Sequence, residues 1–153
     1  MLVLTTTVAK SLRAQGQSNK AKVERERSSM ATVLFLTTDD LSYLMALVAQ
    51  AGHKVVPAYT SYDMPSLLAT ARPEAVIIPE GAEPLEEGDL LPYIRKSTDA
   101  AILVVGKGGQ EQATLALFRG ADAYLTHPVE PAIVRGRLRA LLRRPMQPRQ
   151  TQG

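Results

Sequence analysis

The chain has 153 residues, of which 45% are apolar, and this composition suits one globular domain with a single buried core. It has no cysteine, which excludes disulfides and thiolate metal sites, and no apolar run of about 18 residues, the length of a membrane span. The net charge of +3 is uneven, with +4 on residues 1–30, −7 on residues 31–134 and +6 on residues 135–153. We expect a cytoplasmic protein, because the absence of cysteine suits a reducing compartment.

Residues 1–30 combine a short apolar start with a polar, basic remainder. No basic lead-in precedes the apolar part and no clear cleavage site follows it, so a signal peptide is not indicated. Three interpretations stay open: a flexible arm or a helix ordered by a partner, a contact with nucleic acid or an acidic protein, and an over-extended start before a natural first residue at Met30. Residues 145–153 are expected to form a polar tail.

Five short apolar runs alternate with segments of helical periodicity over residues 31–144. The predicted strands are Thr32–Leu36, Val55–Val56, Ala75–Ile78, Ala101–Val105 and Ala123–Thr126. The predicted helices are Leu41–Ala51, Asp63–Ala71, Leu90–Lys96, Glu111–Arg119 and Pro131–Arg144. Strands this apolar are too hydrophobic for exposed edges and are typical of a parallel sheet with helices on both faces. We therefore predict a single doubly wound (βα)5 α/β domain of flavodoxin-like type.

The residues that follow the strands form the candidate site, because ligand sites of such sheets lie at the carboxyl ends of the strands. These residues are Thr37, Thr38, Asp39, Asp40, Pro79, Glu80, Gly106, Lys107 and His127. The aspartates are also expected to cap the first helix. A Gly-rich loop can cradle an anion, but the spacing around Lys107 matches no phosphate-binding fingerprint, so a flexible loop is favoured. The only other histidine is His53, so neither a metal site nor a cofactor is predicted.

Three segments resemble the receiver domain of two-component response regulators. Gly120–Pro131 (GADAYLTHPVEP) is similar to the family's G-A-D-x-Y-L-x-K-P-[FV]-x-P, Arg72–Ile78 (RPEAVII) to R-P-D-L-V-[IL]-[IL], and Ala51–Val56 (AGHKVV) to A-G-[YH]-x-V. The resemblance covers roughly residues 31–144 in the right order and spacing. It also implies a cis peptide bond between His127 and Pro128.

The chain departs from the family at the positions that carry phosphotransfer. The resemblance implies an acidic pair that holds Mg²⁺, an aspartate nucleophile, a Thr or Ser hydroxyl and a Lys. The last three positions hold Pro79, Gly106 and His127 in this chain. Proline has no side-chain oxygen, glycine has no hydroxyl, and the unperturbed pKa of histidine, about 6.5, leaves little positive charge near pH 7.

The acidic pair is ambiguous, because the loop after the first strand is about two residues shorter than usual. Strand register places Thr37 and Thr38 at the acidic positions, and Asp39 and Asp40 fit only after a shift. Glu80 could imitate a phosphorylated aspartate. However, its offset of one residue points to the other face of the strand, so a solvated acid is the favoured interpretation.

These departures predict a non-catalytic, phosphorylation-independent receiver-like module of a response-regulator or phosphorelay system that acts through protein–protein contact. Its expected surface, on the fourth helix, fifth strand and fifth helix, comprises Phe118, Arg119, Tyr124, Arg135 and Arg139. Receivers often dimerise there, so a homodimer is expected. Tyr124 matches the family's switch aromatic, with an ordinary core tyrosine as the favoured interpretation.

Two other functions compete with this one. The first is a small-molecule or anion sensor that uses the degenerate phosphate pocket. The second is nucleic-acid binding through the basic ends of the chain, which is disfavoured because the body is acidic and no output domain follows the last helix.

Overall fold

The computed structural model describes residues 30–143. The predicted N-terminal extension up to residue 29, the tail over residues 145–153 and the predicted helix end at Arg144 lie outside this range. No helix between residues 30 and 143 combines the length and apolarity that a membrane crossing requires.

Five parallel strands form one sheet in the order β2-β1-β3-β4-β5. The strands are β1 (Thr32–Leu36), β2 (Lys54–Ala58), β3 (Ala75–Pro79), β4 (Ala101–Gly106) and β5 (Ala123–Thr126). The helices are α1 (Ser42–Gln50), α2 (Met64–Ala71), α3 (Leu90–Ser97), α4 (Gln110–Phe118) and α5 (Pro131–Leu142). Short 3-10 turns, Asp39–Leu41 and Ser61–Asp63, precede α1 and α2. This alternation confirms the predicted doubly wound (βα)5 fold.

The core has two layers, one on each face of the sheet. Alternate strand residues such as Leu34 and Val76 pack against the buried faces of α2, α3 and α4. Their neighbours in sequence, including Phe35 and Ile77, pack against α1 and α5 on the other face. All four of these strand side chains are fully buried, as expected for the central strands of a sheet covered on both sides.

Strand β2 corrects one prediction. It is longer than the expected Val55–Val56, pairs only with β1, and is therefore an edge strand with half-buried side chains. Pro57 lies within it, and an edge tolerates proline because the missing amide removes no bond from the ladder. The expectation that every strand was too apolar for an edge is wrong. An open sheet of five strands has two edges, and here they are β2 and β5.

The start of α1 corrects a second prediction. Asp39 and Asp40 lie in the 3-10 turn, and no side chain caps either that turn or α1. The amide of Leu41 donates to the carbonyl of Thr38 at 3.0 Å, so the backbone itself satisfies this donor. Most other element boundaries agree with the prediction to within one residue.

An ion pair fixes α3 against the start of β5. Arg95 donates to the Asp122 carboxylate at 3.1 Å, and both side chains are only 13% exposed. The guanidinium also donates to the carbonyls of Thr98 and Ala100, at 2.6 and 2.9 Å, while Asp122 accepts the amide of Ile102 at 2.8 Å. Charge-assisted bonds of this kind are among the stronger ones in proteins, and they set the position of β5 beside β4.

Candidate functional site

A cleft of about 480 Å³ opens at the carboxyl ends of the strands. Seven of the nine predicted site residues line it, namely Thr38, Asp40, Pro79, Glu80, Gly106, Lys107 and His127. Its other lining residues are Leu41, Val105, Gly108 and Gln112. The loops that follow β1, β3, β4 and β5 therefore meet at one site, as expected of a parallel sheet.

The two remaining predicted residues, Thr37 and Asp39, do not line this cleft. Thr37 is half-buried, and its amide donates to the carbonyl of Ala58 at 2.9 Å, which continues the pairing of β1 with β2. Asp39 is exposed in the 3-10 turn. Thr38 and Asp40 alternate with these residues along the chain, and it is this pair that reaches the cleft.

Pro79 is the last residue of β3 and pairs with Val105 of β4. It lies at the carboxyl end of the central strand of the sheet, between the loops that follow β1 and β4. A proline here offers neither a nucleophilic oxygen nor a metal ligand.

Glu80 makes a defined contact that the sequence interpretation did not expect. The hydroxyl of Tyr124 donates to its Oε2 atom at 2.7 Å, and the same hydroxyl accepts the amide of Gly108 at 3.1 Å. Glu80 is exposed, so the prediction of a solvent-facing acid is correct. The expectation that its offset turns it to the other face of the strand is wrong, because Glu80 lines the cleft. From its position just after the end of β3, the side chain reaches over β4 to β5.

Tyr124 contributes both to the core, through its ring, and to the cleft, through its hydroxyl. Its ring is half-buried against the cluster that includes Ile78 and Val104, while its hydroxyl lies among the loops. The pKa of this phenol is raised above its ordinary value of 10.0, first by burial and then by the bond to Glu80, against an opposing effect of the Gly108 amide. The neutral phenol is therefore the form that the fold favours.

Gly106 provides the space for this contact. A Cβ atom at this position would collide with Oε2 of Glu80 and with the hydroxyl oxygen of Tyr124. Gly106 is not among the glycines with positive φ, so its backbone conformation is open to other residues. Only the two neighbouring side chains require a glycine here.

His127 is held by a residue that the sequence interpretation missed. The hydroxyl of Tyr43 accepts the amide of Val129 at 2.9 Å and lies 3.0 Å from Nδ1 of His127. A phenol oxygen can accept a second bond or donate its own proton, so the tautomer of the imidazole sets the direction of the bond between Tyr43 and Nδ1. The peptide bond to Pro128 is cis, which confirms the expectation from the resemblance.

The cleft does not match the magnesium site that the resemblance implies. Mg²⁺ takes octahedral oxygen ligands, including one or two carboxylates. The resemblance implies three carboxylates, an acidic pair and the aspartate, whereas the cleft offers two, those of Asp40 and Glu80. Glu80 already accepts a bond from Tyr124, and the side chain of Pro79 has no oxygen. Within residues 30–143, no group of three or more His, Cys, Asp or Glu side chains is placed to hold a metal ion.

The predicted contact surface spans the β5 edge of the sheet. Phe118, at the end of α4, is 89% exposed, and its neighbour Arg119 lies 3.5 Å from Asp89 in an exposed ion pair. Arg135 and Arg139 are exposed on α5, which covers the opposite face of the sheet. A groove of about 660 Å³ on α4 is lined by Gln110, Glu111, Thr114, Leu115 and Phe118.

Tyr43 and Arg95 are the site and framework residues that sequence reasoning missed. Both lie on helices, where the apolar periodicity shows which face is buried but not which polar side chain reaches a particular loop. The contact of Tyr43 can be assigned only once α1 is known to pack on the face of the sheet to which Leu125 of β5 points.

No family model matches the chain. It is similar to the transcriptional regulatory protein AfsQ1 of Streptomyces coelicolor, with 26% identity over 118 residues, which are 75% of this chain and 52% of that protein. The chain thus spans about half the length of this curated relative.

Several solved structures share the fold. A putative response regulator from Chloroflexus aurantiacus has a TM-score of 0.67 and 22% identity, over 75% of this chain and 99% of that one. A two-component response regulator from Clostridium difficile has a TM-score of 0.66 and 21% identity, over 75% and 98%. The BeF3-activated receiver domain of Klebsiella pneumoniae RstA has a TM-score of 0.65 and 21% identity, over 74% and 98%. The described part of the chain has the fold of a response-regulator receiver domain.

Proposed function

We propose that the chain is a cytoplasmic receiver-like module of a two-component or phosphorelay type of pathway, and that it acts by protein–protein contact without accepting a phosphoryl group. The fold and the similarity to a transcriptional regulatory protein support the signalling class. The side chains of the cleft do not support phosphotransfer.

The observation that carries this proposal is Pro79 at the end of the central strand. An acyl phosphate needs a carboxylate at this point, and the carboxylate of the next residue, Glu80, is bonded to Tyr124. Gly106 supplies no hydroxyl to bind a phosphoryl group, and His127 directs Nδ1 to Tyr43. The module is therefore non-catalytic, and it needs neither a metal nor a cofactor for its role.

Incubation with acetyl phosphate and Mg²⁺, followed by intact-mass measurement, tests the absence of phosphotransfer. A competent receiver treated in parallel is the control for the reagent. We expect no gain in mass for this chain. A stable gain of one phosphate would overturn the proposal, and peptide mapping would then begin with Asp40, Glu80 and His127.

We further propose that partners, including a second copy of the chain, bind across α4, β5 and α5. The exposed Phe118 and the arginines at 135 and 139 provide an apolar contact beside positive charge, which suits an acidic protein surface. Nucleic acid is not the partner that we propose. Sedimentation velocity of Phe118→Ser and of an Arg135→Glu/Arg139→Glu double variant tests this surface. Tyr59→Ser is the control, because Tyr59 is also an exposed aromatic residue. Association that is the same in all variants would remove the surface from the proposal.

The cleft supports one alternative, a sensor for a small anion or metabolite. Lys107 is exposed in its lining, and the contact of His127 with Tyr43 uses Nδ1, which leaves Nε2 for a ligand. A thermal-shift panel of anions and nucleotides, run on the wild type and on Lys107→Met, tests this function. Stabilisation of the wild type alone would favour the sensor, and no stabilisation by any compound would exclude it for that panel.

A further inference from the structure

The hydroxyl of Tyr124, on β5, connects two loops at the carboxyl end of the sheet. It donates to Glu80 in the loop after β3 at 2.7 Å, and it accepts the amide of Gly108 in the loop after β4 at 3.1 Å. The backbone adds a third link, because the amide of Glu80 donates to the carbonyl of Val105 at 2.7 Å. One phenol thus uses both its donor and its acceptor capacity to hold the rim of the cleft.

The loop that receives this bond has few other constraints. Gly108 and Gly109 have positive φ angles of 100° and 111°, which glycine adopts freely and other residues rarely do. Lys107 between this pair and β4 is exposed. The bond from the Gly108 amide to Tyr124 is therefore a main restraint on the segment that leads into α4, the helix that carries Leu115 and Phe118.

We propose that Glu80 is an internal ligand of the cleft: its carboxylate occupies the space left open by Gly106, holds the Tyr124 hydroxyl, and so keeps the loop before α4 in one arrangement without any bound anion. The proposal deepens the proposed function, because it identifies what sets the state of a module that takes no phosphate. It also assigns a shared role to Glu80, to Gly106, which departs from the resemblance, and to Tyr124, which matches it.

Burial is the first cause of the raised pKa of the Tyr124 phenol, and the Glu80 carboxylate adds to it because a nearby negative charge disfavours the phenolate. The other charged or titratable groups that line the same cleft are Asp40, Lys107 and His127. Among the cleft side chains, Glu80 is the one within hydrogen-bond distance of the phenol.

Two variants break the bond from either end. Glu80→Ala removes the acceptor, and Tyr124→Phe removes the hydroxyl with little change of shape. Glu86→Ala and Tyr59→Phe are the matched controls, because both residues are exposed and lie away from the cleft lining. Since Glu80 is itself exposed, its alanine variant is expected to fold, and Glu80→Gln, which keeps an acceptor oxygen without the charge, provides a conservative comparison.

The first readout is hydrogen exchange of the Gly108 amide by NMR, measured without phosphate donor or partner. We expect exchange about five- to tenfold faster in Tyr124→Phe, the scale that follows from the loss of one hydrogen bond. Glu80→Ala is expected to increase the rate as well, because the phenol is no longer held, and Glu80→Gln is expected to lie between Glu80→Ala and the wild type. Unchanged exchange in both Tyr124→Phe and Glu80→Ala would overturn the proposal.

The second readout is the alkaline absorbance titration of the phenol, taken as the difference between each protein and its Tyr124→Phe counterpart. Glu80→Ala should lower the pKa of Tyr124, while Glu86→Ala should leave it unchanged. An identical titration of Tyr124 with and without the Glu80 carboxylate would also overturn the proposal.

The two proposals can fail separately. A chain that accepts phosphate yet shows these couplings would refute the proposed function alone, and a chain that shows neither phosphate uptake nor coupling would refute the internal ligand alone.

Discussion

Gly106→Ala offers the strictest test of how the cleft is built. The new Cβ would collide with Oε2 of Glu80 and the hydroxyl oxygen of Tyr124, so both side chains must move. Steric overpacking of this kind costs about 1–3 kcal/mol, and the lost hydrogen bond adds about 1 kcal/mol. Alanine also restricts the unfolded chain, which offsets about 0.4–1 kcal/mol. We therefore expect a net loss of about 1–3.5 kcal/mol in the free energy of unfolding.

The same substitution should be nearly neutral once its obstacles are removed. The three nearest atoms to the added Cβ all belong to Glu80 and Tyr124, so in a Glu80→Ala/Tyr124→Phe background we expect Gly106→Ala to cost less than about 1 kcal/mol. Urea unfolding of the four proteins, with equal m-values as the check on two-state behaviour, measures both costs. Gly136→Ala in α5, where no atom lies within 4 Å, is the control and should be neutral or stabilising by up to about 1 kcal/mol.

Equal costs of Gly106→Ala in the two backgrounds would refute this reasoning, because the glycine would then be required by something other than the carboxylate and the phenol. A cost below about 0.5 kcal/mol in the wild type would refute it too, since the two side chains would have alternative positions of equal free energy.

Three further predictions concern other contacts. Asp122→Ala should cost about 3 kcal/mol, because it removes the carboxylate that offsets the charge of a largely buried guanidinium and leaves the amide of Ile102 without its acceptor. Tyr43→Phe should cost about 1–2 kcal/mol and release Nδ1 of His127, which ¹⁵N NMR of the imidazole would detect. Burial lowers the pKa of His53 below 6.5, so its contribution to stability is present above that pH and is lost as the pH falls through the lowered pKa.

Each of these has a matched comparison. Arg119→Ala removes an exposed ion pair and should cost less than about 1 kcal/mol, so a similar cost for Asp122→Ala would contradict the assignment. Tyr62→Phe should leave the imidazole of His127 unchanged. The stability of His53→Asn should fall less than that of the wild type between about pH 8 and pH 5, and parallel profiles would show that another group titrates.

The strands were predictable because burial on both faces demands continuous apolar runs, and four of them are found almost to the residue. The strands that lie at the edges of the sheet were not predictable in this way. The order of strands depends on the crossover connections, which the local sequence pattern does not indicate. Pro57 is the one residue whose type indicated an edge in advance.

The sequence predicted which loops form the site, but it did not predict the contacts between their side chains. Topology alone brings the carboxyl ends of the strands together, so seven of the nine chosen residues line one cleft. The bond between Glu80 and Tyr124 was missed because alternation of side chains applies within a strand, and Glu80 lies one residue past the end of β3. Beyond that end, the reach of a long side chain decides its contacts.

Three residues of the cleft are physically compatible with one another: Pro79, Glu80 and Gly106. A carboxylate at position 79 would place a second negative charge beside Glu80, and like charges at such a distance raise a pKa or move apart. A hydroxyl side chain at position 106 would enter the space of the Glu80 carboxylate. The proline removes the first conflict and the glycine removes the second. A carboxylate at position 79 and a hydroxyl at position 106 would thus both compete with the carboxylate–phenol bond, which supports our proposal that Glu80 is an internal ligand of the cleft.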